Sequence, residues 1–167
     1  MNTYKKEGKI KGELVIEGDL TLTGNLIVEK GINVKGSIDC AGYHIKAGGF
    51  IKAGYHIKAG GSIEAGHYIE ASHYIEADYY IEAGGSYGIS AGLSITAKTT
   101  IDCGLNIYAG ICTWREITDA EKTVTCSKLE TGKIKYGILQ ETGITPSLSG
   151  KEVSVTVDGK TYTAVIK

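Results

Sequence analysis

A chain of 167 residues with a formal net charge of -1 offers no basic surface for nucleic acid, and no Lys/Arg run marks it for an anionic membrane. Its start lacks the apolar stretch of a signal peptide, and no apolar run approaches the roughly 20 residues of a spanning helix, so a soluble cytoplasmic protein is expected. The 24 glycines beside a single proline fit a chain that turns often yet keeps its backbone donors for a sheet.

In chain order, residues 1–11 are short and Lys-rich and read as an N-terminal cap that blunts a sheet edge. From residue 12 a six-residue beat sets in. Each unit carries a large aliphatic residue and, two positions later, a second inward residue: Leu14/Ile16, Leu20/Leu22, Leu26/Val28, Ile32/Val34 and Ile38/Cys40. After one extra residue the beat continues from Ile45/Ala47 to Ile81/Ala83. After two more, around residues 86–88, it runs from Ile89/Ala91 to Ile107/Ala109. A spacing of two puts both residues on one face of a short strand, and the slips belong at corners, where they leave the apolar face inward.

An unbroken short repeat predicts a solenoid in which each coil buries its apolar face against the next. Three six-residue sides make a triangular coil of about 18 residues, with coils stacked about 4.8 Å apart. The charges test this. Lys46, Lys52 and Lys58 lie between the inward residues, and Glu64, Glu70 and Glu76 follow in the same slot. An offset of 18 stacks each Lys on a Glu, whereas an offset of 12 stacks like on like. An offset of 24 pairs charges equally well, so four sides stay open on this criterion alone. The expected fold is all-β: a parallel β-helix over residues 12–110, about five coils, with a small C-terminal β module over 111–167.

In that module Trp114 is expected to cover the last coil. Thr118 to Glu121 matches a capping box and predicts one helical turn. Residues 123–140 read as two strands separated near residues 130–132. The alternating run from Val153 to Val165, turning at Asp158-Gly159, predicts a hairpin with a type I′ turn.

Chemistry is sparse. Cys40 and Cys103 take Ala slots and read as small core residues, and no Cys-x-x-Cys spacing is present. No nucleophile elbow, phosphate loop or metalloprotease signature occurs, so no enzyme, cofactor or metal is expected. His56 and His73, one coil apart, are the one pair that an 18-residue coil brings close enough to share a metal, and no third ligand recurs there. The corners are richer. Seven of the 11 tyrosines fall between Tyr43 and Tyr87, interleaved with the histidines. One edge stacks Tyr43 and His44, then Gly61-Ser62, then Tyr79 and Tyr80. A second stacks Phe50, then His67 and Tyr68, then residues 85–86. The third stacks Tyr55 and His56 on His73 and Tyr74. These tyrosines and histidines, with Trp114 and Tyr162, are the candidate partner contacts, since tyrosine gives contact area at low entropic cost.

Units such as Gly36-Ser37-Ile38-Asp39-Cys40 and Gly61-Ser62-Ile63-Glu64-Ala65 resemble the bactofilin type of polymer-forming β-helix over residues 12–110. The resemblance implies end-to-end assembly as a cytoskeletal scaffold, although bactofilins generally carry disordered tails and residues 111–167 here read as folded. The repeat is also similar to that of hexapeptide acyltransferases, which place the small residue two before the aliphatic one; here Ile precedes Ala, and a catalytic histidine loop is missing. Three functions are therefore expected, in this order. The first is a non-enzymatic scaffold acting by protein–protein contact or by self-assembly, with residues 111–167 as a candidate homo-oligomer contact. The second is a small phage or mobile-element protein that inhibits a host defence complex, in the manner of an anti-CRISPR. The third is an acyltransferase.

Overall fold

The computed structural model describes residues 2–4, 8–85, 87–143, 152–157 and 160–165, and side chains over 9–85 and 87–143. It is a parallel β-solenoid of about 7 turns, roughly 18 residues apart. The first coil is formed by β1 (Asn2–Tyr4), β2 (Gly8–Ile10) and β3 (Leu14–Ile16), and the second by β4 (Leu20–Leu22), β5 (Leu26–Val28) and β6 (Ile32–Val34). The third comprises β7 (Ile38–Cys40), β8 (Ile45–Ala47) and β9 (Ile51–Ala53); the fourth β10 (Ile57–Ala59), β11 (Ile63–Ala65) and β12 (Tyr68–Ala71). The fifth comprises β13 (Ile75–Ala77), β14 (Ile81–Ala83) and β15 (Gly88–Ala91); the sixth β16 (Ile95–Ala97), β17 (Thr100–Cys103) and β18 (Asn106–Ala109). Strands β19 (Thr123–Cys126), β20 (Lys128–Leu129) and β21 (Lys133–Tyr136) make a seventh coil, and β22 (Ile138–Glu141) begins another.

Every third strand pairs in parallel, giving three sheets: sheet A from β1 to β22, sheet B from β2 to β20 and sheet C from β3 to β21. From β3 to β19 each strand alternates inward, outward, inward, so aliphatic residues stack in lines along every side, Ile on Ile and Ala on Ala in most of the third to sixth coils. Ile57, Ile63, Ile69, Ile75 and Ile81 are fully buried, and one continuous core runs from Leu14 to Cys126. The free thiols of Cys40, Cys103 and Cys126 lie inside it, and burial raises the Cys40 thiol to about 11.

The charge ladder takes the 18-residue offset. Lys46 pairs with Glu64, Lys52 with Glu70 at 2.7 Å and Lys58 with Glu76 at 3.0 Å. Three sheets at this offset leave no room for the four-sided alternative. Both slips fall at corners. Ile57 pairs back to Ile38, one residue beyond the usual offset, across the corner where Gly42 has φ +80°. Ile89 pairs back to Ile69, two beyond it, next to Gly88 with φ +89°.

The ladders run past residues 12 and 110 in both directions. Asn2 pairs with Leu20 and Gly8 with Leu26, at the offset of the other coils. Past Ala109 the chain leaves the coil at Gly110 (φ +86°), makes an excursion over residues 110–122, and returns so that Val124 pairs with Ile95. The two strands expected over 123–140 are therefore four, because the coil resumes with three short sides. The excursion includes the expected helical turn, a 3-10 helix at Asp119–Lys122. The Glu121 carboxylate accepts from the Thr118 N–H at 3.0 Å and hydroxyl at 3.1 Å and pairs with Arg115. Those hydrogen bonds, that from Arg115 foremost, lower the Glu121 carboxyl to about 2. Strands β23 (Glu152–Val157) and β24 (Lys160–Val165) form a separate antiparallel pair; the expected turn at Asp158-Gly159 lies outside the described residues. Among the described residues no helix is long and apolar enough to cross a membrane.

Candidate functional site

The corners decide what this rod shows to solvent. Six-residue sides leave about three residues per corner, and successive corners are tied coil to coil by backbone bonds, such as Tyr55 N–H to Gly36 O at 3.1 Å, His73 N–H to Tyr55 O at 2.8 Å and Leu93 N–H to His73 O at 2.7 Å. Corner side chains therefore stack in register along the rod axis, and rings in register become columns.

Two such columns flank sheet C. On the edge shared by sheets B and C, Phe50 and Tyr68 lie parallel, 5.2 Å apart and 9° between planes, and Tyr87 turns across their end at 6.0 Å and 74°. On the edge shared by sheets C and A, Tyr55 stacks on His73 at 5.2 Å, and Trp114 closes over His73 at 4.7 Å. Between the columns run the outward residues of sheet C, Lys52, Glu70, Ser90 and Tyr108, one per coil. The result is a shallow trough with a polar floor and aromatic walls.

Two hollows adjoin in this trough, and Glu70 lines both. One is formed by Phe50, Tyr68, Glu70 and Tyr87. The other lies between Glu70, Ser72 and Ser90 on one side and Ile111, Thr113 and Trp114 on the other. Two glycines make the walls fit. A Cβ on Gly31 would sit 2.5 Å from the Phe50 ring, and one on Gly92 would sit 2.7 Å from the tip of Trp114. Trp114 thus lies on the flank of the rod, not over its end as expected. The seventh coil takes the end position, and the excursion folds back beside the fourth and fifth coils.

Burial, then the Glu70 carboxylate, raises the Tyr68 hydroxyl above its usual range, and burial, then Asp39, does the same for Tyr74. Burial opposes ionisation of Glu64, but hydrogen bonds from Lys46 and Tyr80 outweigh it and hold that carboxyl low.

The other candidate contacts are dispersed. His56 and Tyr74 stack at 4.7 Å on the sheet A side of their corner, where His56 meets Asp39 at 3.3 Å. His56 and His73 thus engage different partners. Tyr43 and Tyr79 are exposed on the edge between sheets A and B, separated by the Gly61 layer. There His44 Nδ1 accepts from the Ser62 N–H at 2.9 Å and meets the Ser62 hydroxyl at 2.7 Å, and Tyr80 donates to Glu64. His67 is exposed on the edge of Phe50 and Tyr68. Tyr162 belongs to β24, and its side chain lies outside the described residues.

No protein-family model, curated protein or solved structure matches the chain. The likeness to bactofilins and hexapeptide enzymes is therefore one of stacked parallel coils. Sequence reasoning missed Phe50, Tyr87, Glu70 and Ile111 as parts of one site. The 18-residue coil puts Phe50 on the right edge, but its stack on Tyr68 depends on ring orientation, which spacing does not carry. Tyr87 was hidden by the two-residue slip, which moves it onto the column where residues 85–86 were expected.

Proposed function

We propose that the protein is a rigid, non-enzymatic scaffold that acts by protein–protein contact, with the trough on sheet C as its contact face. The observation that carries this reading is the pair of aromatic columns walling a polar floor on one side of an otherwise repetitive rod. Tyrosine and tryptophan supply large contact area with few rotors to freeze, and clustered exposed rings are what interfaces use at their centres. A solenoid holds these rings on a backbone bonded coil to coil, so little ordering entropy remains to be lost on binding.

The test compares capture of partners by the wild-type protein with capture by a Tyr87→Ala/Trp114→Ala variant, both first checked for equal melting temperature. Loss of the same bound protein in the variant supports the contact face. Unchanged capture overturns it. Sedimentation velocity over a concentration series identifies whether the partner is a second copy: self-association that the double substitution abolishes assigns the face to homo-oligomerisation.

A further inference from the structure

The two hollows of the trough offer different chemistry. The one beside Trp114 mixes hydroxyls with apolar surface. The other is three rings around one carboxylate: Phe50 and Tyr68 in a parallel stack, Tyr87 at 74° to Tyr68, and Glu70 at the floor. Tyr87 is 76% exposed, so ring surface stands open beside the carboxylate. Glu70 is half engaged. Lys52 takes its Oε1 at 2.7 Å, and Oε2 has no partner among the described residues.

The surroundings leave two carboxylates without an ion pair among the described residues. Of the six acids from Glu64 to Asp102, four are ion-paired, Glu64 with Lys46, Glu70 with Lys52, Glu76 with Lys58 and Asp78 with Lys98, which leaves Glu82 and Asp102. Glu64, Glu82 and Asp102 stand in one column on sheet B, next to the edge that bears the three rings. Like charges at neighbouring strand positions repel, and Glu82 and Asp102 have no ion-pair partner among the described residues to relieve them. The uncompensated charge of Glu82 and Asp102 beside this edge therefore favours an incoming cation.

We propose that the hollow of Phe50, Tyr68, Glu70 and Tyr87 receives an arginine side chain of the protein partner. This rests on the contact-face reading above and names its chemistry. Ring faces attract cations through their quadrupole. A guanidinium is planar, more weakly hydrated than an ammonium, stacks on aromatic faces and presents parallel donors to a carboxylate. With Lys52 on Oε1, the guest donates to Oε2 and lies against Tyr87. A lysine ammonium, compact and strongly hydrated, uses the ring less well and meets the repulsion of Lys52 without the compensating stack.

The probe is a capped Gly-Gly-Arg-Gly-Gly peptide, titrated at 0.15 M salt while the ring resonances of Phe50, Tyr68 and Tyr87 are followed by NMR, with the Lys and citrulline peptides as controls. The expected result is saturable shifts confined to these rings, at least threefold weaker with Lys and absent with citrulline. Tyr87→Ala and Glu70→Gln should each weaken binding by about fivefold or more, and Glu82→Gln by no more than about twofold; all three positions are on the surface, and thermal melting verifies the fold. Equal binding of citrulline would make the hollow a plain apolar slot and overturn the proposal. So would shifts centred on the sheet B acids that survive Tyr87→Ala, or micromolar saturation by methylguanidinium, which marks a small-molecule site. If partner capture depends on Tyr87 and Trp114 while the Arg peptide does not bind, only the arginine assignment falls. If the peptide binds but no capture depends on this face, the contact-face reading falls and takes the partner with it.

Discussion

The second coil and the fourth and fifth coils use the same backbone for opposite purposes. In the second coil the inner slots hold Leu22, Val28 and Val34, so the interior is filled with branched side chains. Its corners are plain: Asp19 accepts from the Ser37 N–H at 2.8 Å and Asn25 from the His44 N–H at 2.9 Å, each tying down the coil that follows. In the fourth and fifth coils the inner slots hold Ala59, Ala65, Ala71, Ala77, Ala83 and Ala91, and the corners carry rings. Apolar mass has moved from inside the rod to outside it. The first region is built to stay folded, and the second spends part of its hydrophobic content on a face.

The comparison can be broken most severely at the shared core. Ile63→Asp buries a charge with no partner, at a cost of several kcal/mol, and should abolish the β-sheet circular dichroism signal. The two regions then separate by opposite substitutions of the inner slot. Leu22→Ala should cost about 2–5 kcal/mol through the cavity it leaves. Ala77→Leu should cost about 1–3 kcal/mol through overpacking. Denaturant titration measures both, and a substitution without cost at either site would erase the distinction. At the corners, Asn25→Ala should lose about 1 kcal/mol with its hydrogen bond. Tyr55→Ala should change stability less than that while weakening partner capture. Smallest is the exposed ladder: Lys58→Gln should shift stability by about 1 kcal/mol or less.

The excursion supplies a separate probe, because Trp114 is the chain's single tryptophan. Glu121 titrates near 2 when folded, below its usual value. Its contribution is therefore complete above the unfolded-state pKa of about 4.3 and is lost as pH falls through 2. Trp114 fluorescence should report a transition centred near that pH, and Glu121→Gln should remove it.

Much of the rod was legible because its signal is repeated and local. Most strands of the rod are three residues long, and their inward residues sit two apart, so Ile-x-Ala states both the strand and its face. The Lys-to-Glu change removed the two-sided coil, since an offset of 12 would stack Lys46 on Lys58, but it served 18 and 24 alike, and the pairing of Lys58 with Glu76 decides for 18. The first and seventh coils were harder. Gly8-Lys9-Ile10 presents one large apolar residue instead of two, and Lys128–Leu129 is a side of only two residues. The excursion also breaks the period, so the pairing of Ile95 with Val124 leaves no trace in spacing. Trp114 lies away from its expected place over the last coil for a related reason. Its position depends on where the backbone turns at Gly110 and on the bare surface at Gly92, and neither is a property of the tryptophan itself.

The three insertions that precede the seventh coil share a location. One residue added near Gly42, two near Gly88 and the whole excursion after Gly110 all enter at corners, and beyond each of them the inward residues return to the same lines. A corner is thus a port at which chain length can vary without a change of interior. Most folds must renegotiate their packing to acquire a loop. This one can take on new surface at any of its corners and leave the ladder of Ile and Ala untouched, which makes it a frame for diversification as much as a finished shape.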